Sequence, residues 1–185
     1  MLFKEGDPDY RMLLADRIYK AFFNDGALTP ARSAERLTKR CNEIRRAFFA
    51  EAARWNYLTP AAWTSRRDYS LNEWLPRRTA EAFEQFRAAG FYPQIDAPIL
   101  DQQGGPVVTG FQVRFVRPVR GRIYFTTDGT DPRLPGGAIS ARAKAFPDAP
   151  PLISRDTTVK SRVRNGDEWS ALNEAFFTVG PGARE

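Results

Sequence analysis

The hydrophobic and polar positions of this chain follow two different periods. Up to about residue 94, apolar side chains recur every three to four positions, which is the spacing of one face of an α-helix. After Pro98 they alternate with polar side chains at every second position, as in a β-strand with one buried face. The pattern predicts an α+β protein, with a helical region at 1–94 and an antiparallel immunoglobulin-like β-sandwich at 95–185.

Start signals divide the first region into helices. One helix is predicted over about 9–24, and a second begins at Thr29-Pro30, where threonine can cap and proline is tolerated in the first turn. The apolar stripe of this second helix predicts a buried face: Ala34, Leu37, Cys41, Ile44, Phe48, Ala52 and Trp55. Thr59-Pro60 predicts a short helix through Trp63.

The remaining helical signals lie between residues 70 and 90. Ser70 and Glu73 form a capping-box pattern ahead of a further helix, and Pro76 predicts a kink or break in it. Gly90 is a stop signal. We expect Trp55, Trp63 and Trp74 to hold the helices together or to pack them against the second region.

Short alternating segments and turn residues organise the second region. The strands are predicted around Val113 and Phe115, Ile123 and Phe125, 159–163 and 175–179. Turns are predicted at 118–121, Asp128-Gly129, 135–137 and Asn165-Gly166, of which the last is the strongest two-residue hairpin signal.

The net charge of +6 is spread over both regions, +4 in 1–94 and +2 in 95–185. Basic pairs alternate with glutamates as they do on solvated helix faces, so we expect no nucleic-acid partner. No segment has the roughly 18 uncharged apolar residues that a membrane span needs, so no membrane insertion is expected. The N-terminus lacks the apolar core of a signal peptide, and any export signal is expected upstream.

The residue inventory removes several kinds of chemistry. With Cys41 as the only cysteine and no histidine, the chain has no internal disulfide and no Ser-His-Asp or Cys-His catalytic set. Two carboxylate pairs, Glu81 with Glu84 and Asp167 with Glu168, have positions where nothing predicts the desolvation that an acid/base pair needs. We therefore predict no catalytic residue, no cofactor and no metal site.

Two groups of residues remain as candidates for a role. Asp128, Gly129, Asp131 and Pro132 form a predicted structural turn, because aspartate side chains bond nearby backbone N–H groups. Calcium binding by Asp128 and Asp131 is the alternative. Tyr124 and Trp169 are a candidate ligand surface, since flat rings match the apolar faces of sugars, although Trp169 is also well placed to be a core residue.

Two family resemblances follow from longer motifs. The segments 121–133 and 156–163, with Trp169-Ser170 and Phe176, closely resemble the C-terminal β-sandwich module of chitobiases and β-hexosaminidases, also seen as a fibronectin-III-associated module. This resemblance covers roughly 98–179 and implies an accessory, non-catalytic domain. The segments 15–20, 24–30, 44–55 and 74–78 resemble the end of a secreted spore-coat-protein-H-type (CotH-like) protein, an atypical kinase-like family. No glycine-rich phosphate loop or metal-binding Asp/Asn motif accompanies this second match.

Together these observations predict a non-catalytic accessory module of a secreted or cell-surface bacterial protein, extracellular, cell-surface or periplasmic. It would position neighbouring domains or contact glycans or protein partners, with upstream domains of the same polypeptide among its partners. One alternative is the C-terminal part of a CotH-like kinase whose catalytic residues lie upstream. A second is a basic nucleic-acid-binding protein, which would show steeply salt-dependent binding.

Overall fold

A computed structural model describes residues 6–56, 59–116 and 120–180, and it has an α+β architecture, as predicted. The helices are α1 (Pro8–Phe22), α2 (Pro30–Trp55), α3 (Pro60–Tyr69) and α4 (Leu75–Ala88). The strands are β1 (Ile99–Leu100), β2 (Gly105–Val107), β3 (Phe111–Gln112), β4 (Phe115–Val116), β5 (Arg122–Thr126), β6 (Lys144–Phe146), β7 (Leu152–Ile153), β8 (Thr157–Asn165), β9 (Glu168–Trp169) and β10 (Asn173–Val179). The change from helical to strand period therefore occurs where the sequence places it.

Contacts divide the chain into two compact units. The β-rich unit contains the residues up to Tyr19 and those from Arg87 onward, and the helical unit is Lys20–Phe86. The division falls within α1 and within α4. The domain boundary expected between residues 94 and 95 stays a prediction.

The helical unit is held together by aromatic contacts. Phe23 meets Phe83 edge to face with ring centroids 4.8 Å apart, and Trp63 packs on Phe48 and Phe49 at 5.5 and 5.6 Å. Such pairs contribute about 0.5–1.5 kcal/mol beyond the area that they bury. The Thr59 side chain accepts a hydrogen bond from Ala62 N and caps α3, as its sequence predicts.

The expected buried face of α2 is only partly buried. Cys41 and Ala52 are buried, but Ile44 is 42% exposed and Trp55 is 61% exposed. Trp74 is also 47% exposed, so of the three helical-region tryptophans only Trp63 has the ring packing that the sequence analysis expected. The periodicity predicted the helix correctly. It does not show whether other side chains cover the whole apolar face of that helix.

The capping box expected at Ser70 and Glu73 is not formed. Ser70 has helical backbone angles, and a π-helical turn, Ser70–Trp74, joins α3 to α4 without a break. The N–H of Leu75 bonds to Ser70 O, five residues back. Pro76 follows directly and has no N–H to donate, so the disturbance predicted at this proline takes the form of a widened turn.

The β-rich unit contains one large sheet and two small ones. In the large sheet the strand order is β2-β10-β8-β5-β6, with β9 paired to β8, and in each small sheet two strands pair, β1 with β4 and β3 with β7. The pairings in the described residues are antiparallel except β2 with β10, which is parallel. The hairpin predicted at Asn165-Gly166 forms between β8 and β9, but Asn165 pairs with Glu168, so its loop is Gly166-Asp167. Of the turn predicted at 118–121, Pro118 and Val119 lie outside the described residues.

Alternation places the two faces of the large sheet in different surroundings. The side chains of Ile123 and Phe125 on β5 and of Val159 and Val163 on β8 enter the core. The small sheets contribute Leu100, Phe115 and Ile153 to this same cluster. The opposite face of β5 and β8 carries polar and aromatic residues, including Tyr124 and Arg162, which are cross-strand partners. This second face positions the groups described next.

Candidate functional site

The polar face of the large sheet is organised around Arg162. Its side chain is only 2% exposed, and the guanidinium forms bidentate pairs with two carboxylates. Arg162 Nη1 and Nη2 donate to the two oxygens of Asp16 on α1 at 2.7 Å each, and Nε and Nη2 donate to Asp131 at 2.8 and 2.6 Å. Burial acts to lower the pKa of Arg162, but the hydrogen bonds to Asp131 and Asp16 outweigh it and raise the pKa. The side chain therefore keeps its charge and fixes α1 and the loop after β5 to the sheet.

In the turn after β5, aspartate side chains accept hydrogen bonds from neighbouring groups. Asp128 Oδ1 accepts hydrogen bonds from Thr130 N and from the Thr130 hydroxyl, and Gly129 has a positive φ of 80°. These bonds lower the pKa of Asp128 to about 2. Asp131 Oδ1 accepts from Arg133 N at 2.8 Å, and Pro132, the next residue, is fully buried.

A second acidic residue of α1 joins the following loop. Asp9 pairs with Arg133 through Nη2 and accepts a hydrogen bond from Gly136 N at 2.9 Å. Hydrogen bonding to Arg133 is the main cause that lowers the pKa of Asp9, and the bond from Gly136 adds to it. Gly136 and Gly137 have φ of 81° and 91°, which glycine adopts without strain. The two glycines thus let the loop take left-handed backbone angles, and a Cβ at Gly136 would meet nothing within 4 Å.

The rings of Trp169 and Tyr124 lie together, with centroids 5.8 Å apart. Trp169, however, is 2% exposed, and its indole N–H donates to Gly137 O at 2.8 Å. The Trp169 ring therefore presents no open face for a sugar, and in this structure it occupies the core position that was the alternative interpretation. Tyr124 is half-buried beside it.

A cleft beside Trp169 is the candidate site. Its volume is about 410 Å³, and its wall comes from four segments within 8–12, 90–93, 133–137 and 167–169. We call it the Arg11 cleft; its lining residues are Pro8, Arg11, Met12, Gly90, Phe91, Tyr92, Pro93, Arg133, Gly136, Gly137, Asp167, Glu168 and Trp169. This volume is within the range of about 300–1,000 Å³ that small-molecule sites occupy.

Some charged groups of the Arg11 cleft have an ion-pair partner among the described residues and others have none. Arg133 is bound by Asp9, and Asp167 accepts a hydrogen bond from Arg164 at 3.2 Å. Glu168 Oε1 accepts from the backbone N–H of Gln94 at 3.1 Å. The Nε atoms of Arg11 and Arg133 are buried and have no hydrogen-bond partner among the described residues. Each such donor costs about 1–3 kcal/mol unless an acceptor reaches it.

Burial also affects an aromatic side chain in this cleft. Tyr92 is 4% exposed, and desolvation raises the pKa of its hydroxyl well above the ordinary value. The tyrosine therefore stays neutral over the physiological range and supplies a fixed, largely apolar wall. Within the described ranges, no group of three or more acidic or cysteine side chains is arranged to hold a metal ion.

A separate cavity of about 500 Å³ lies near the two-stranded sheet of β1 and β4. Its apolar wall includes Ile95, Ile99 and Val116, and Ile99 and Val116 are cross-strand partners. Glu168 lines both cavities. The Arg11 cleft is the stronger candidate because Arg11, a half-buried cation in its wall, forms no ion pair with a described residue.

Sequence reasoning did not find the charged pairs that build this region. Asp9 and Asp16 are seven positions apart and so lie on one face of α1, where they meet Arg133 and Arg162. Acidic residues at this spacing are the available signal in the sequence, but the spacing does not identify their partners. None of the helices in the described part of the chain combines the length and apolar character of a membrane span.

Comparison with protein-family models, with characterised proteins and with solved structures finds no match for this chain.

Proposed function

We propose that the β-rich unit is an immunoglobulin-like sandwich that serves as a non-catalytic accessory module of a secreted or cell-surface protein, where it positions neighbouring domains or contacts glycans or protein partners. The sandwich is supported by the shared core, in which Leu100, Phe115 and Ile153 of the small sheets pack with the apolar face of the large sheet. The resemblance of 98–179 to the chitobiase-type module supports the accessory role.

One observation carries the non-catalytic part of this proposal: the aspartates of the turn after β5 bind groups of the protein itself. Asp131 is paired with the buried Arg162, and Asp128 is held by two bonds from Thr130. With its pKa near 2, Asp128 is ionised at neutral pH and has no proton to give as a general acid. The most prominent carboxylates of the motif therefore stabilise the loop.

The contact role is supported by the Arg11 cleft. Its donors and acceptors come from four separate segments that meet at the surface of one unit. A cleft of this kind offers a ligand hydrogen-bonding groups at fixed positions. The ion pairs of Asp9 and Asp16 hold the segments of its wall in place.

The test uses the full chain in three assays. A glycan array measures saturable binding, and parallel assays measure hydrolysis of chitin-type oligosaccharides and phosphoryl transfer from ATP. We expect glycan binding without turnover. Turnover by the purified chain that a single substitution such as Glu168→Gln abolishes would overturn the proposal. Steeply salt-dependent binding to DNA or RNA in place of glycan binding would favour the nucleic-acid alternative.

A further inference from the structure

We infer that the Arg11 cleft binds an anionic sugar, with the Arg11 guanidinium contacting a carboxylate or sulfate of the saccharide. The inference rests on the proposed function, because it names the ligand class for the glycan contact. It depends on three observations, which concern charge, donor geometry and the polar rim of the cleft.

Among the described residues, Arg11 has no direct ion-pair partner, and Glu168 of the same cleft, which bonds the backbone N–H of Gln94, has no cationic partner either. Arg133 has Asp9 as its counter-ion, and Asp167 has Arg164. Arg11 makes no ion pair with any residue that the structure describes. A half-buried guanidinium with no carboxylate partner attracts an anion more strongly than an exposed one, because water screens it less.

The donor geometry matches an oxyanion. A guanidinium presents five N–H groups in a planar fork, which can donate two parallel hydrogen bonds to a carboxylate or sulfate. Arg11 Nε is buried without a partner, and so is Nε of Arg133, whose side chain is only 10% exposed. These buried Nε atoms are closed to a ligand, so the two hydrogen bonds have to come from Nη1 and Nη2 of Arg11, which bond no described residue.

The rim of the cleft is suited to the rest of a saccharide. Glu168 uses Oε1 for the Gln94 N–H, and its Oε2 can accept from a sugar hydroxyl. The Asp167 side chain is fully exposed and can accept in the same way. Phe91 and Pro93 add half-buried apolar surface for the ring carbons. An anion alone would not use these groups.

The experiment measures affinity of the full chain by titration calorimetry. Four probes separate the possible sources of the anion: a disaccharide containing glucuronic acid, a sulfated neutral disaccharide, the unmodified neutral disaccharide, and inorganic sulfate. The variants are Arg11→Gln, Arg11→Lys and, as a matched control, Arg17→Gln, which removes the same charge from an exposed position of the same helix. Circular dichroism checks that each variant is folded.

We expect at least one anionic disaccharide to bind about tenfold or more tightly than the neutral one and than inorganic sulfate. Arg11→Gln should weaken this binding about tenfold, Arg11→Lys less, and Arg17→Gln less than about twofold. The anionic probe that binds better identifies the oxyanion.

Equal affinity for anionic and neutral disaccharides, or equal weakening by Arg11→Gln and Arg17→Gln, overturns the inference but leaves the glycan-contact proposal standing. Inorganic sulfate binding as tightly as the disaccharides, or no binding by any probe, overturns it as well. The turnover assays described above detect failure of the proposed function separately.

Discussion

Arg162 of β8 and Asp16 of α1 form a bidentate ion pair across 146 positions of sequence, with both N–O distances at 2.7 Å. Asp131 binds the same guanidinium from the loop after β5. Asp16 also accepts a hydrogen bond from Leu172 N at 2.8 Å. One buried arginine therefore joins a helix, a strand and a turn of the β-rich unit.

Arg162→Leu should lower the free energy of unfolding by about 2–3 kcal/mol, because it leaves two partly buried carboxylates without their counter-ion. The measurement is urea denaturation followed by circular dichroism. Arg122→Leu is the matched control, since Arg122 is exposed on β5 and pairs with exposed Asp148. Its cost should stay below about 1 kcal/mol. Equal costs for the two variants would contradict the structural role of Arg162.

The pKa of Asp128 predicts a pH-dependent contribution to stability. The bonds from Thr130 lower this pKa from the ordinary 3.8 to about 2. A carboxyl group with a lowered pKa stabilises the folded chain fully above pH 3.8, and this stabilisation is lost as the pH falls through about 2. Thermal melting should show Asp128→Asn less stable than the wild type at neutral pH, with the difference shrinking toward pH 2.

The control for this pH series is Asp101→Asn, which changes an exposed aspartate whose side chain makes no hydrogen bond in the described ranges. Its melting temperature should follow that of the wild type at every pH. A constant difference between wild type and Asp128→Asn down to pH 2 would show that the turn does not depend on the ionised carboxylate.

Gly121 and Gly129 have similar backbone angles but differ in the space that is available for a Cβ. Both have a positive φ, 83° and 80°. A Cβ at Gly121 would lie 2.5 Å from Arg164 O, whereas a Cβ at Gly129 meets nothing within 4 Å. Gly129→Ala should cost about 1 kcal/mol for the left-handed backbone, and Gly121→Ala about 2 kcal/mol more for the backbone clash. Similar unfolding free energies for the two variants would contradict the close approach of β5 and β8 at this point.

Burial of Trp169 predicts that its substitution affects stability directly. Trp169→Phe removes core volume and the hydrogen bond to Gly137 O, and it should cost about 2 kcal/mol in unfolding free energy. Trp55→Phe, at a side chain that is 61% exposed, should change stability by less than about 0.5 kcal/mol. If Trp169→Phe were as mild as the control, the indole would be a surface group after all.

Local sequence patterns predicted which helices and hairpins form more accurately than they predicted which side chains are buried. The helix starts at Pro30 and Pro60, the end of α4 before Gly90 and the β8–β9 hairpin were identifiable from prolines, stops and turn residues, although only Thr59, and not Thr29, makes the side-chain cap bond. These features depend on neighbours within four residues, so sequence proximity is enough to predict them. The capping box at Ser70 failed because a continuous π-helical turn satisfied the same backbone groups in another way.

The candidate site was harder to predict because its parts are distant in sequence. The flat ring of Trp169 suggests a sugar-stacking surface in the sequence. Its burial, however, depends on the loop at Gly137 and on β5, which are distant in sequence. Arg11 carried no signal of its own among sixteen basic residues in 1–94. Its interest arises only because, in the folded chain, Arg133 and Asp167 of its cleft have ion-pair partners and Arg11 has none among the described residues.

The sequence by itself determined the positions of the main helices, of the long strands β5, β8 and β10, and of the change of period near residue 95, because backbone geometry and hydrogen bonding act over a few residues. Only the tertiary structure decided that Asp16 reaches Arg162, that Trp169 is buried and that a cleft opens beside Arg11. Burial and charge pairing depend on which segments pack against one another in the folded chain. The pattern of residues along the sequence does not say which segments these are.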